Sequence, residues 1–180
     1  MKSRDMRNEG QEQDGISAPS QTLVLGIGNI LRKDDGVGIT VIDRLQEQEL
    51  PPGVRLLDGG TAGIDLLTYL EGLDRLVIVD AMYAEGKPGD IKVLAGDDLR
   101  DRDIILSGHY GRLSDILDMV GALWTRPDTV IIGIIPRDCE SYEMGLTPEV
   151  ANAVPLVIDM ILTMLTHPAS AGPFQDQKAP

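Results

Sequence analysis

Residues 23–38 read LVLGIGNILRKDDGVG, and the reading of this stretch decides the fold. An apolar run, Leu23-Val24-Leu25, leads into Gly26 and Gly28. Beyond Asp34-Asp35-Gly36-Val37-Gly38 the apolar residues switch to helical spacing. A short apolar run followed by glycines and a 3.6-residue period is a buried strand, a tight turn and a helix start. In open α/β sheets, ligands sit in the crevice beyond the carboxyl ends of the strands. Gly26-Ile27-Gly28 begins like a dinucleotide fingerprint, but Leu31 stands where the third glycine belongs. Two acids flank the helix start, where a pyrophosphate would be repelled. The turn therefore favours a cation. Asp34 is assigned to complementing the helix dipole, worth about 0.3–1 kcal/mol. Asp35 is the candidate ligand because of the residues that join it.

Working outward, Val37, Val41, Ile42 and Leu45 form one face of a helix that ends before Pro51-Pro52-Gly53. Val54–Leu57 reads as a second parallel strand, turned by Asp58-Gly59-Gly60-Thr61. Thr61 is expected to cap a helix with Ile64, Leu66, Leu67, Leu70 and Leu73 on one face. Leu76–Val79 is a third strand, with Asp80 at its carboxyl end. This βαβαβ alternation predicts a parallel sheet with right-handed crossovers. Ile91–Leu94 alternates and follows a Pro-Gly turn, so an antiparallel edge strand is expected. Residues 104–109 lead into a helix bearing Leu113, Ile116, Leu117, Val120 and Leu123. Thr129–Ile135 is the last strong strand. In the final helix Thr147 suits the cap, Pro148 suits the first position and Pro155 is expected to kink it.

At 180 residues with 42% hydrophobic and 25% charged content, the chain suits one soluble domain. Aromatics are only 3%, so Ile, Leu, Val and Met must build the core. The net charge of -13 argues against nucleic-acid backbones and anionic membranes as partners. No uninterrupted apolar run reaches the about 20 residues a bilayer span requires. Residues 1–20 are polar and Gln/Glu/Gly/Ser-rich, which predicts a disordered lead-in rather than a secretory signal. Residues 168–180 read as a disordered tail, leaving 21–167 as the ordered domain. Cys139 is the one cysteine, so no internal disulfide and no CxxC knuckle exists, which fits a reducing cytoplasm.

Asp80 is the natural companion of Asp35, since the first and third strands are commonly neighbours in a doubly wound sheet. His109 is the third candidate; the other histidine, His167, lies at the start of the tail. Two carboxylates and one imidazole make an open metal site, whereas structural zinc wants four ligands with more sulfur and nitrogen. Ser107 has no GxSxG elbow around it, and Cys139 reads as an incidental loop cysteine. Tyr69, Tyr83, Tyr110 and Tyr142 are expected to be partly buried, and Trp124 to be a packing residue.

These residues resemble the [NiFe]-hydrogenase maturation endopeptidases, peptidase family M52. The resemblance rests on GIGNILRKDDGVG, DGGTAGIDLLTYL, RLVIVDAM, SGHYGRLSDIL and IIGIIPRDCESYEMGLTPEVANAVP, in order over nearly all of residues 23–165. It implies a single-domain α/β fold of phosphorylase/hydrolase-like type, a three-layer sandwich with a mostly parallel five-stranded sheet and helices on both faces. It implies a metal-contacting trio at Asp35, Asp80 and His109. It further implies a cytoplasmic endopeptidase, of aspartyl or metal-dependent type, that removes the C-terminal extension of the hydrogenase large-subunit precursor. The nickel belongs to that precursor. Gly59, Gly60 and Thr61 are weaker expectations as crevice residues that hold substrate backbone. Two other functions compete: a stand-alone zinc metallohydrolase, and a non-catalytic Rossmann-like binding module, against which the acidic turn argues.

Overall fold

A computed structural model describes residues 20–100, 105–106 and 113–167. The polar lead-in, the tail and His109 lie outside the described residues. The chain forms β1 (Thr22–Ile27), α1 (Val37–Leu45), β2 (Val54–Gly60), α2 (Leu67–Leu70), β3 (Arg75–Tyr83) and β4 (Ile91–Ala95). It continues with β5 (Ile105–Leu106), α3 (Leu113–Leu123), β6 (Asp128–Ile134) and α4 (Pro148–Thr166). The main sheet has the order β2-β1-β3-β6-β4, and the two-residue β5 pairs off this path with β3. β1, β2, β3 and β6 run parallel, and β4 is antiparallel at the edge, as its alternation required.

The sheet sorts its side chains by parity, because successive residues of a strand face opposite sides. Val24, Val77, Val79, Ala81, Ile132 and Ile134 turn one way and pack against α1 and α4. Leu23, Leu25, Ile27, Leu76, Ile78, Met82 and Ile131 turn the other way, toward α2 and α3. Two aliphatic cores result, one on each face, and β3 is buried along nearly its whole length. This is the near-continuous apolar run of a central parallel strand covered on both sides.

Three elements depart from expectation. The Asp58-Gly59-Gly60 segment does not leave the sheet: β2 continues through Gly60, paired to β1 across a register shift at Gly26/Ile27. The second helix shrinks to a 3-10 turn at Gly63–Leu66 and the four residues of α2, with no side-chain cap from Thr61. Ile64, expected on its buried face, is exposed, because so short an element covers only Leu66 and Leu70. At the end of α3, Leu123 is likewise exposed, and the neighbouring Trp124 packs against the core instead.

α4 runs through Pro155 as one 19-residue element. Its length and composition alone would let it cross a membrane. Its seat is different: Val150, Ala153, Val157, Ile161 and Met164 are buried in the core beside α1.

Candidate active site

The opening turn is assembled by close backbone approach. A Cβ on Gly38 would stand 2.4 Å from the carbonyl oxygens of both Ile27 and Val79. The first turn of α1 is thus pressed onto the end of β1 and onto the middle of β3. Gly28 has φ 133, a conformation glycine alone adopts readily, and a Cβ there would lie 1.8 Å from the Asp35 carbonyl oxygen. The Asn29 N–H donates to that same oxygen at 3.2 Å, and the Asp35 N–H donates to the Arg32 carbonyl at 3.1 Å. These glycines serve helix-on-strand packing, not a phosphate.

Asp35 and Asp80 then arrive at one edge. β1 and β3 are hydrogen-bonded neighbours with Gly26 opposite Val79, so the turn after β1 that carries Asp35 lies beside Asp80. The third strand does not stop at Val79 as expected: β3 runs on to Tyr83, and Asp80 is paired within it, opposite Gly133 of β6. Both side chains are buried, Asp35 at 2% and Asp80 at 1% exposure. The Asp35 Oδ2 is buried without a hydrogen-bond partner among the described residues. A buried acceptor left so costs about 1–3 kcal/mol, and more when it is charged. Among the described residues no three His, Cys, Asp or Glu side chains are grouped to hold a metal.

Asp34 does something the sequence did not reveal. It is fully buried, and its carboxylate accepts the N–H groups of Arg137, Asp138 and Thr147 at 2.9, 3.0 and 2.7 Å. The Thr147 hydroxyl also donates to it, at 2.9–3.0 Å, and so does not cap α4. Its role is to clamp the β6–α4 loop, not to complement the dipole of α1. The clamp is continued by the Asp34 N–H donating to the Asp138 carbonyl at 3.0 Å and the Lys33 N–H donating to the Glu143 carbonyl at 2.8 Å. Lys33 also pairs with the Glu143 carboxylate at 2.8 Å. Within the loop, Asp138 accepts from Ser141 and Glu140, which holds its pKa down at about 2.

That clamp carries Cys139 into the same edge. Its thiol is buried and hydrogen-bonded to Tyr83 at the end of β3. Burial first, then the nearby Asp35, Asp34 and Asp80 charges, push the thiol up to about 12. Burial and the same thiol raise Tyr83 to about 12 as well. Cys139 is thus a protonated packing group. The one available signal for it was position, since any loop after β6 must start at the carboxyl edge. Of the tyrosines expected to be partly buried, Tyr69 and Tyr83 are so, each 46% exposed, whereas Tyr142 stands 87% exposed; Tyr110 lies outside the described residues. Gly59 is buried, Gly60 half-buried and Thr61 exposed at the end of β2, and Gly60 accepts the Gly28 N–H at 3.0 Å.

The molecule is thus a single-domain α/β protein with two buried acids side by side, Asp35 in the turn after β1 and Asp80 in the carboxyl half of the neighbouring strand β3. The family model described as hydrogenase maturation protease matches residues 39–164. The Hydrogenase 2 maturation protease of Escherichia coli is 33% identical over 152 residues, covering 79% of this chain and 89% of that protein. The hydrogenase expression/formation protein HupD of Bradyrhizobium diazoefficiens is 33% identical over 155 residues, 84% of this chain and 81% of that protein. The solved structure of the hydrogenase maturating endopeptidase HybD from E. coli superposes with a TM-score of 0.74 at 31% identity, covering 83% of this chain and 94% of that one. HybD from Thermococcus kodakarensis gives 0.69 at 28% identity, covering 81% and 99%. The chain belongs to the hydrogenase maturation protease family, and it is a hydrolase, an endopeptidase.

Proposed function

We propose that this endopeptidase removes the C-terminal extension of a [NiFe]-hydrogenase large-subunit precursor after nickel insertion, and that the nickel it meets is the substrate's own. The observation that carries the reading is the Asp35 Oδ2, buried without a hydrogen-bond partner among the described residues, in the turn beside Asp80. An ionised carboxylate can only accept, so a cation brought by the substrate relieves the cost of that orphaned oxygen. Carboxylate oxygens and one imidazole suit a borderline divalent ion such as nickel. His109 completes the proposed trio. It follows Leu106 by three residues, and Leu106 is paired with Met82, two residues past Asp80.

Three protein ligands leave coordination positions for the substrate. The ion then either polarises the scissile carbonyl or activates a water, and both routes need it held against the bond by Asp35, Asp80 and His109. Gly59, Gly60 and Thr61, ending the adjacent strand β2, are placed in this reading to carry substrate backbone. The reaction is assigned to the cytoplasm, in keeping with a single free thiol.

A processing assay tests this. The nickel-loaded precursor is shortened and the nickel-free precursor is not, and Asp35→Asn and His109→Ala each abolish shortening. Normal processing by either variant overturns the assignment. Near-stoichiometric zinc in the purified protein, required for activity, would replace it with a stand-alone metallohydrolase.

A further inference from the structure

The large apolar side chains left in solvent are not scattered. Ile30 and Leu31 follow β1, Tyr83 ends β3, and Tyr142 and Met144 follow β6; these are five of the nine exposed large hydrophobics among the described residues. The three strands are consecutive in the sheet. The five side chains therefore rim the edge that holds Asp35 and Asp80. Exposure ranges from 44% at Ile30 to 87% at Tyr142.

The rim is built, not slack. Lys33 and Glu143 join its two loops by a backbone hydrogen bond and an ion pair, each 2.8 Å. The Arg32 guanidinium lies 5.7 Å from the centre of the Tyr142 ring. Beneath them the Asp34 clamp fixes Arg137, Asp138 and Thr147. Tyr83 is oriented by its hydrogen bond to Cys139. Of the cations in these loops, Lys33 and Arg137 are paired with Glu143 and Glu149 and Arg32 faces the Tyr142 ring, so the five apolar side chains stand among charges that are already matched. Exposed aromatic, Met and aliphatic groups gathered in one ordered patch mark a protein-interaction site, and Tyr and Met are enriched in interfaces.

The fold also says what covers it. An endopeptidase must bring a peptide bond to its reacting edge, so the chain on either side of that bond crosses the rim. The trio proposed above would select a metal and a carbonyl; it carries no information about which protein is cut. We propose that Ile30, Leu31, Tyr83, Tyr142 and Met144 form the docking surface for the folded protein substrate, binding an apolar patch beside its scissile segment independently of the metal. The identity of that substrate, the large-subunit precursor, rests on the function proposed above.

The experiment measures the dissociation constant of the nickel-free precursor for the full-length enzyme by calorimetry. Wild type binds. Leu31→Ser/Tyr142→Ser and Ile30→Ser/Met144→Ser each bind about tenfold more weakly, the scale of losing one or two central contacts. Leu123→Ser, an equally exposed residue (61%) on α3 just ahead of β6 and so at the opposite edge, binds as wild type. Unaltered thermal melting shows that the variants are folded. Failure of wild type to bind the nickel-free precursor overturns the docking surface, as does wild-type affinity in both rim variants. Cleavage of the nickel-loaded precursor is scored separately. Binding that is lost in the rim variants without any cleavage by wild type sinks the proposed function and leaves the rim standing.

Discussion

Asp34 and Asp35 are neighbours of the same chemistry, and their surroundings give them opposite duties. The Asp34 carboxylate is saturated by donors from residues more than 100 positions away. Asp34→Asn turns an amide NH2 toward those N–H groups whichever way the side chain rotates. A loss of about 2–3 kcal/mol in urea unfolding is expected. Asp35→Asn neutralises a buried oxygen that has no donor among the described residues, so stability holds or rises while processing disappears. Equal destabilisation by the two variants would erase the distinction. The sequence could place Asp35 and Asp80 on neighbouring parts of the sheet, because the parallel alternation sets β1 beside β3, but not the length of β3, which runs past Asp80 to Tyr83. It could not show the duty of Asp34, whose partners lie in a loop with no periodicity and are met only when β6 is seated beside β3. Cys139 was legible in position but not in environment. Its thiol rises from 9.0 to about 12 on folding. A raised pKa means the folded state holds its proton longer, so this stability is complete below about pH 9 and is lost as pH climbs toward about 12. Native Cys139 is therefore expected to resist thiol reagents at pH 8, reacting only on unfolding, and urea midpoints should fall across that alkaline window.

At the scale of elements, the strand-turn-helix at residues 23–38 is fixed by what its glycines leave out. Gly38 touches the carbonyls of Ile27 and Val79, and backbone atoms on both sides leave no room for a methyl group. Gly38→Ala must lift α1 off the sheet and is expected to cost about 3 kcal/mol or more. Gly121 in α3 is the contrasting case. A Cβ there meets nothing nearer than 3.7 Å, so Gly121→Ala should stabilise by about 0.5–1 kcal/mol through helix propensity alone. Denaturant midpoints of the two variants, moving in opposite directions, check the argument; a neutral Gly38→Ala would refute the close approach. The same physics explains which elements were readable. β1, β3, β6, α1 and α4 carry long apolar patterns, and tertiary packing only confirmed them. The Gly63–Leu70 segment carries an equally apolar pattern, but Gly59–Gly60 stayed in the sheet and left just a 3-10 turn and four helical residues before Gly72. Pattern there recorded burial of Leu66 and Leu70, not helix length.

For the whole molecule, the sheet separates two cores that share no side chain. Ile161 on α4 sits with α1 on one face, and Leu117 on α3 sits with α2 on the other, both fully buried. Leu117→Ala and Ile161→Ala each remove most of a buried aliphatic side chain, and each is expected to cost about 2–5 kcal/mol. The intervening strands are a close-packed layer whose residues alternate faces, so the two cavities have no common neighbour to relax into. Substitutions without shared partners add within about 0.3–0.5 kcal/mol. The double variant should lose the sum of the two, measured by urea unfolding with an unchanged slope so that the comparison stays two-state. A loss well short of the sum would mean that the sheet shifts to accommodate both vacancies. That outcome would bear on the site itself, since Asp80 belongs to β3, the strand with a neighbour on either side in the middle of that layer. Additivity, by contrast, means that the layer behaves as a rigid plate. Asp80 then keeps its position while either face is damaged, and Leu117→Ala should lower stability without moving the rate of processing at temperatures well below its melting point.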